Sequence, residues 1–185
     1  GLGGAWGAVQ PELLAISAAS DNDTIASGRY LKLVDSLRRM SLLAGENSAL
    51  VLDPFADTYF LQAVLTELAI PWLEGVSSVR ALLGAWQGQA ADKQAFSSLS
   101  VMADMVDLRT QLVSEKFEAF QRASNESLPP TAADAVAATT ALTKAIREQI
   151  GKETSAQTSA TLFALAGKAI ESGRSFRADA SVMLL

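Results

Sequence analysis

Hydrophobic residues recur every three or four positions along most of the chain, which is the spacing of amphipathic helices packed in a bundle. In two long stretches the steps of four and three alternate strictly, as at the a and d positions of a coiled coil, and a strand cannot present that pattern. Each stretch predicts one long helix, over residues 54–86 and 92–124. Trp72 and Trp86 are interpreted as core anchors of the first helix rather than as a ligand cage. The first series is Leu61, Leu65, Leu68, Trp72, Gly75, Val79, Leu82 and Trp86, and the second is Phe96, Leu99, Ala103, Val106, Thr110, Val113, Phe117 and Phe120.

Shorter series of the same kind predict the remaining helices. One precedes the two long helices, and two alanine-rich ones follow them, where the composition adds helix propensity. With a short helix around residues 11–19, we predict an all-α fold: an elongated antiparallel helical bundle of the four-helix type, with about six helices. The three series are Tyr30, Leu33, Leu37, Met40 and Ala44; then Val136, Thr139, Thr143, Ile146 and Ile150; then Leu162, Leu165, Ala169, Ser172 and Phe176.

Two prolines indicate where the helices are interrupted. Asp53 followed by Pro54 places a capping carboxylate directly before a proline in the first helical turn, so a continuous helix through this point is not expected. A division into two sub-bundles near residues 50–54 is therefore possible. Pro71 falls inside a predicted helix, where it removes a backbone donor, and it predicts a kink near residues 68–72.

The composition excludes much of the common chemistry of enzymes. The 185 residues include neither His nor Cys, so the chain has no Ser-His-Asp or Cys-His nucleophile system, no imidazole or thiolate zinc site and no disulfide. The formal net charge is −5, from 15 Lys and Arg against 20 Asp and Glu. This balance argues against a nucleic-acid partner, because phosphate binding needs a concentrated basic face. We predict a non-catalytic domain that holds no metal and no cofactor.

A few charged residues are candidates for ligand contacts, each with a structural interpretation beside the functional one. Arg38 and Arg39 lie in a basic stretch that can face an anionic solute, although nearby carboxylates favour a solvated helix face. Arg80 follows a position of the first series, so it can lie at the edge of the core and donate to a carboxylate ligand. Asp104 and Asp107 have i, i+3 spacing and are interpreted as surface charge rather than as a metal or glycosidase site.

One segment carries a more specific pattern. Residues 48–62 read SALVLDPFADTYFLQ, which fits S-x-L-x-L-D-P-x-x-D-[ST]-Y-x-L, and Ile70, Pro71 and Arg80 follow. The pattern resembles a signature of the extracytoplasmic sensor regions of bacterial transmembrane receptors, which include histidine kinases, chemotaxis receptors and related signalling proteins. In that signature a Leu/Ile-Pro pair and a later arginine usually follow, so the order and spacing agree across residues 48–80.

The resemblance implies that residues 1–185 are a single all-helical sensor region on the periplasmic side of the bacterial inner membrane. The full-length protein would be membrane-anchored and a homodimer, and it would respond to a small-molecule ligand or to a periplasmic partner protein. The predicted function is signal sensing for a sensor histidine kinase of a two-component system, with a helix shift passed across the membrane. The phosphate-accepting histidine of such a kinase lies elsewhere, because this chain has none.

Most residues of the signature have a structural interpretation. Leu52 closes the core across the junction, Asp53 caps the next helix, Pro54 fits its first turn, and Asp57 places negative charge near the positive end of the helix dipole. Tyr59 is the exception, because a phenol in the bundle core can reach a ligand with its hydroxyl. The structural residues of the motif are Leu52, Asp53, Pro54, Asp57, Tyr59, Leu61 and Pro71. The candidate ligand-binding residues are Tyr59, Arg80, Arg38 and Arg39.

Two other functions are alternatives to a kinase sensor. The chain could equally be the sensor domain of a methyl-accepting chemotaxis receptor. This segment does not distinguish a chemotaxis receptor from a histidine kinase, because they differ in the output domain. A structural helical bundle outside any receptor predicts a gene of about this length without apolar segments on either side. Hydrophobic runs of about 20 residues before and after the chain would eliminate that alternative.

Overall fold

The computed structural model describes residues 2–17, 25–47, 56–86, 93–150, 152 and 155–184. In these ranges the regular structure is entirely helical and comprises six helices, which confirms the predicted all-α helical bundle. The helices are α1 (Leu2–Ser17), α2 (Ile25–Asn47), α3 (Ala56–Ala63, continued by a π-helical turn over Val64–Leu68 and by Ala69–Ala85), α4 (Lys93–Ala123), α5 (Pro130–Arg147) and α6 (Ala156–Met183).

The chain divides into two compact units, residues 1–54 and 55–185. The first unit contains α1 and α2, which pack on each other. α1 begins well before the predicted short helix around residues 11–19. In α2, Leu33 is buried as its series predicts, whereas Tyr30 is exposed.

The second unit is an antiparallel bundle of four helices. α3 packs on α4 and α6, and α5 packs on the same two helices. Neighbouring helices run in opposite directions: at the α3–α6 interface Gly84 lies beside Phe163, whereas Gly173 lies beside Leu73. Two core clusters of buried apolar side chains fill the space between the helices.

The core row of α4 follows the predicted series completely. Its eight positions lie on one face of a single uninterrupted helix and are all buried. Aligned side chains at this spacing pack into the neighbouring helices as in a coiled coil. The buried positions are Phe96, Leu99, Ala103, Val106, Thr110, Val113, Phe117 and Phe120.

The core row of α3 departs from the predicted series. Gly75 and Leu82 were expected in the row, but Val76 and Leu83 are the fully buried residues, one position later in each case. Trp72 and Val79 of the same series are fully buried as predicted, so the departure concerns the positions that alternate with them. The π-helical turn over Val64–Leu68 precedes these positions and adds one residue to the helix before them.

Hydrogen bonding in the π-helical turn accounts for the extra residue. The Ala69 N–H donates to the Val64 carbonyl, five residues back, where an α-helix would use a four-residue step. Both residues are fully buried, so the core row takes a step of five here. The helix continues through Pro71, the π-helical turn lies directly before it, and the kink predicted near residues 68–72 stays a prediction. A proline removes one backbone donor and crowds the preceding turn, which favours a widened turn at this place.

Gly75 has a role other than the predicted core position. Arg109 of α4 donates from Nη1 to the carbonyl oxygen of Pro71 across the α3–α4 interface. A Cβ atom on Gly75 would lie 3.0 Å from that Nη1 atom and 3.0 Å from Val106 Cγ2. The absence of a side chain therefore lets the guanidinium group reach α3.

The core rows of α5 and α6 combine predicted and unexpected positions. In α5, Thr139, Thr143 and Ile146 are buried as predicted, while Ile150 lies past the end of the helix and is exposed. α6 begins at an N-cap, where the Ser155 side chain accepts from the Thr158 N–H. Its buried row alternates strictly by three and four and is rich in small residues: Ser159, Leu162, Ala166, Ala169, Gly173, Phe176 and Ala180.

Candidate functional site

Most of the sensor-like signature lies outside the described residues. Leu52, Asp53 and Pro54 fall in the undescribed stretch, and of Asp57 only the helical backbone is described. Their capping and dipole roles therefore stay predictions. Leu61 is buried in one of the two core clusters of the second unit, where it packs with side chains of α4 and α6.

Tyr59 lies on the surface of α3 rather than in the bundle core, so the expectation of a buried phenol was wrong. The residue is 39% exposed, and its ring meets the Phe60 ring edge-on at 5.4 Å between centroids. Lys116 Nζ of α4 lies 5.9 Å from the Tyr59 ring centroid. Leu61 faces the core instead, because two residues turn an α-helix by about 200°. A solute can meet Tyr59 only from outside the bundle.

Arg80 lies at the edge of the α3–α6 interface, as the sequence indicated. Its Cζ atom is 4.3 Å from the centroid of the Phe163 ring, in a cation–π stack. Gly167 lies beside the same side chain, and a Cβ atom there would be in ordinary contact with Arg80 Nε at 3.7 Å. The stack accounts for the position of Arg80 without a ligand. Tyr59 is 21 residues away on the same helix, about 30 Å at 1.5 Å per residue, so the two residues do not form one site.

Arg38 and Arg39 both bind Asp35 of their own helix. Arg38 Nη2 lies 3.0 Å from Asp35 Oδ1, and Arg39 Nε lies 2.8 Å from Oδ2. The hydrogen bond from Arg38, with a smaller contribution from Arg39, lowers the pKa of Asp35 below the ordinary value of an aspartate. The solvated helix face that the sequence favoured thus accounts for both arginines.

The Asp35 titration tests this assignment. Replacing Arg38 by Gln should raise the pKa of Asp35 toward its ordinary value, by more than Arg39→Gln does. The folded pKa is depressed, so the stability that the ion pairs contribute is present above the unfolded pKa and is lost as pH falls through the folded value. The measurement is the carboxyl carbon-13 shift of Asp35 against pH. Lys32→Gln, at an exposed position of the same helix, serves as control, and an unchanged titration in Arg38→Gln would contradict the ion pair.

The aspartate pair of α4 joins two helices. Arg147 Nη2 of α5 lies 2.9 Å from Asp104 Oδ1 and 2.9 Å from Asp107 Oδ2. The Thr143 hydroxyl donates to Asp107 Oδ1 at 3.2 Å. The hydrogen bonds, first to Asp104 and then to Asp107, raise the pKa of Arg147. The pair, interpreted from the sequence as surface charge, therefore fastens α4 to α5 at the surface of the bundle.

A concave feature lies between α5 and α6, on the outside of the bundle. It is a groove of about 400 Å³ with an apolar floor, formed where alanines of α5 leave space beside α6. Asp134 of α5 and Lys168 of α6 bring opposite charges to it, and both residues are exposed. The groove was not predicted from the sequence, although the sequence of α5 is rich in alanine. The lining residues are Asp134, Ala137, Ala138, Ala141, Leu165, Lys168 and Ser172.

A smaller cavity of about 110 Å³ lies at one end of the second unit. Thr58, near the start of α3, and Met183, at the end of α6, both line it. Phe120 and Ser124, at the end of α4, also line it, as do Leu61, Glu126 and Leu184. The start of α3 and the end of α6 therefore lie side by side at the same end of the bundle.

Among the described residues, no group of three or more His, Cys, Asp or Glu side chains could hold a metal ion. Within the same ranges no helix is both long and apolar enough to cross a membrane. Comparison with known proteins returned no match: no family model, no curated protein and no solved structure is significantly similar to the chain.

Proposed function

We propose that the chain is the extracytoplasmic signal-sensing domain of a bacterial transmembrane receptor, a sensor histidine kinase of a two-component system. The observation that carries the proposal is the placement of α3 and α6. These are the first and last helices of the second unit, they pack on each other, and Thr58 and Met183 line one cavity at one end. The start of α3 and the end of α6 thus lie at the same end of the second unit, an arrangement that supports a helix pair able to pass a displacement along the bundle.

The α3–α6 interface suits a small displacement of one helix along the other. α6 presents Ala166, Ala169 and Gly173 within its buried row, between Leu162 and Phe176, so the middle of this contact is formed by small residues. Leu73 of α3 packs where a Cβ atom on Gly173 would otherwise lie. Helix shifts of about 1–2 Å at such interfaces are a known way of passing a signal. A ligand drives the shift only if it binds the two arrangements unequally.

The groove between α5 and α6 is the place where a small ligand would act on that interface. One side of α6 forms a wall of the groove, and another side packs on α3. Asp134 and Lys168 offer an anionic and a cationic contact above an apolar floor. This chemistry fits a small zwitterion with an apolar part, so amino acids are the first class of ligand to test.

A thermal-shift screen of the 185-residue chain against amino acids, organic acids and inorganic anions tests the ligand. A ligand at 100 times its dissociation constant stabilises the folded state by about 2.7 kcal/mol, which for a unit of this size raises Tm by roughly 5–15 °C. Lys168→Ala should abolish the shift. Lys144→Ala is the matched control, because Lys144 is an exposed α5 lysine whose nearest carboxylate is Glu148, with Nζ–Oε1 4.0 Å.

The outcomes of the screen separate the ligand classes. A shift that survives Lys168→Ala places the ligand outside the groove, and Arg80→Ala is then the next variant to measure. No shift with any of the three classes contradicts small-molecule sensing and leaves a periplasmic partner protein as the signal.

The sequence that flanks the chain in its gene tests the receptor itself. Hydrophobic runs of about 20 residues on both sides support the sensor proposal, and their absence favours the structural helical bundle. Downstream, a dimerisation helix with a histidine and an ATP-binding domain indicates a kinase. A long methylatable coiled coil would indicate a chemotaxis receptor instead.

A further inference from the structure

The two charged residues of the groove between α5 and α6 lie at different heights along it. The Thr131 hydroxyl of α5 donates to Asp179 Oδ2 of α6 at 2.7 Å, which sets these two residues level with each other. Because the helices are antiparallel, Lys168, eleven residues before Asp179, lies level with position 142 of α5. Asp134 comes eight residues before position 142, so the two charged residues are about 12 Å apart along the helix axis.

The core clusters agree with this register. Ala135 of α5 belongs to the same cluster as Phe176 and Ala180 of α6, and Leu142 belongs to the other cluster with Ala166 and Ala169. Side chains of an α-helix lean toward the N-terminus of their own helix. In an antiparallel pair these directions diverge, so the side chains of the two charged residues lean away from each other. The negative and the positive charge therefore lie at opposite ends of the groove.

The separation of the charges decides which size of ligand can contact both. A single α-amino acid carries its ammonium and carboxylate groups on one carbon atom, and one residue of extended chain spans at most about 3.6 Å. Such a ligand can contact Asp134 or Lys168, but not both. Three or four residues of extended peptide span roughly 10–14 Å, which matches the distance between the two charged residues.

The groove between the two charges suits a peptide chain with small side chains. Ala137, Ala138 and Ala141 of α5 line it there, and they leave room for a chain to lie against α5. Ser172 of α6 also lines the groove, and in the same register it lies level with position 138, midway between the charges. A hydroxyl both donates and accepts hydrogen bonds, so it can bind a peptide N–H or C=O group. The volume of about 400 Å³ falls within the usual range for small-ligand sites, about 300–1,000 Å³.

We propose that the groove binds a short linear peptide of three or four small residues, with its N-terminal ammonium group at Asp134 and its C-terminal carboxylate at Lys168. The peptide then runs parallel to α5. The inference rests on the proposed function, because it takes the groove as the ligand site of the sensor. It narrows the ligand from zwitterions in general to linear zwitterions whose charges are far apart.

Titration of the 185-residue chain with alanine, trialanine and tetraalanine tests the length of the ligand. The readout is the set of amide chemical shifts, which gives both the dissociation constant and the location. Trialanine or tetraalanine should bind at least about tenfold more tightly than alanine, since a peptide adds a second charge contact and further apolar contact. The shifts should centre on Ser172 and the alanines of the groove. Alanine that binds as tightly as both peptides, or peptides that leave the groove shifts unchanged, would overturn the proposal.

Blocked termini test the two charge contacts and the direction. N-acetylation of trialanine should weaken binding about two- to fivefold, as expected for an exposed ion pair, and it should cost nothing further in Asp134→Asn. C-terminal amidation should behave in the same way with Lys168→Ala. Glu171→Gln and Lys144→Ala are the controls, at exposed positions that do not line the groove, and they should keep both losses. Losses that persist in Asp134→Asn and Lys168→Ala, or that respond to the opposite variant, contradict the assigned contacts.

A linear probe without peptide groups separates a peptide from other zwitterions of the same length. ω-Aminooctanoate has distant charges but no peptide N–H or C=O groups, so it should bind more weakly than trialanine, and Ser172→Ala should reduce that difference. Equal affinities for the two probes would overturn the peptide assignment. Failure of this inference is distinguishable from failure of the proposed function. A receptor gene whose sensor binds no peptide contradicts only the inference, whereas peptide binding in a gene without flanking apolar runs contradicts only the sensor proposal.

Discussion

Replacing Trp72 by Ala is expected to lower the free energy of unfolding of the second unit by about 3–5 kcal/mol. Trp72 is fully buried in the core cluster that also holds Phe117 and Phe176. Its indole Nε1 donates to the Thr110 hydroxyl of α4 at 3.0 Å, and that hydroxyl donates in turn to the Val106 carbonyl. The substitution removes the largest buried side chain and a hydrogen bond between helices. Urea unfolding followed by circular dichroism measures the loss.

Trp86→Ala is the matched control, because Trp86 lies at the end of α3 and is only partly buried. Its cost should be clearly smaller than that of Trp72→Ala. Where Trp72→Ala fails to fold, Trp72→Phe keeps most of the apolar volume and should give an intermediate loss. Equal losses at the two tryptophans would contradict the core described for α3.

Leu83→Ala is expected to cost about 2–5 kcal/mol, and Leu82→Ala appreciably less. Leu83 is fully buried, whereas its neighbour is only partly so. The continuous series of fours and threes predicts the opposite order, because it places Leu82 in the core row. The pair of substitutions therefore measures the register of α3, with the same side chain removed at adjacent positions.

The denaturant midpoints of the two leucine variants decide between the registers. A larger loss at Leu82 would mean that Leu82 rather than Leu83 lies in the core row, and it would contradict the register described for this part of α3. The two leucines are adjacent and identical, so the comparison removes the same side chain on either side of the boundary between the core and the surface.

Helix regularity explains which part of the fold the sequence could predict. α4 contains no proline, keeps one face toward the core and has no irregular turn, so its periodicity predicts every buried position. α3 contains Pro71 and the π-helical turn, and a pattern that assumes one uniform pitch places Trp72 and Val79 in the core but sets Gly75 and Leu82 there in place of Val76 and Leu83. Nothing in the local sequence besides the proline marks the extra residue.

The candidate site was harder to predict, because its parts are distant in the chain. The groove needs α5 and α6 side by side, and its two charges, Asp134 and Lys168, come from different helices. Arg147 likewise reaches aspartates about 40 positions earlier. Single positions such as Arg80 could be placed at a core edge from periodicity alone, and by the same rule the two-residue step from Leu61 places Tyr59 away from the core row.

The π-helical turn has a consequence for the comparison of this chain with any relative that lacks the turn. Such a relative would carry one residue fewer between positions 64 and 68, with both parts of the helix still facing the core. A correct alignment would then need a one-residue gap in the middle of a helix. An ungapped alignment would set Trp72, Val76 and Leu83 opposite residues that lie one step away from the core of the relative.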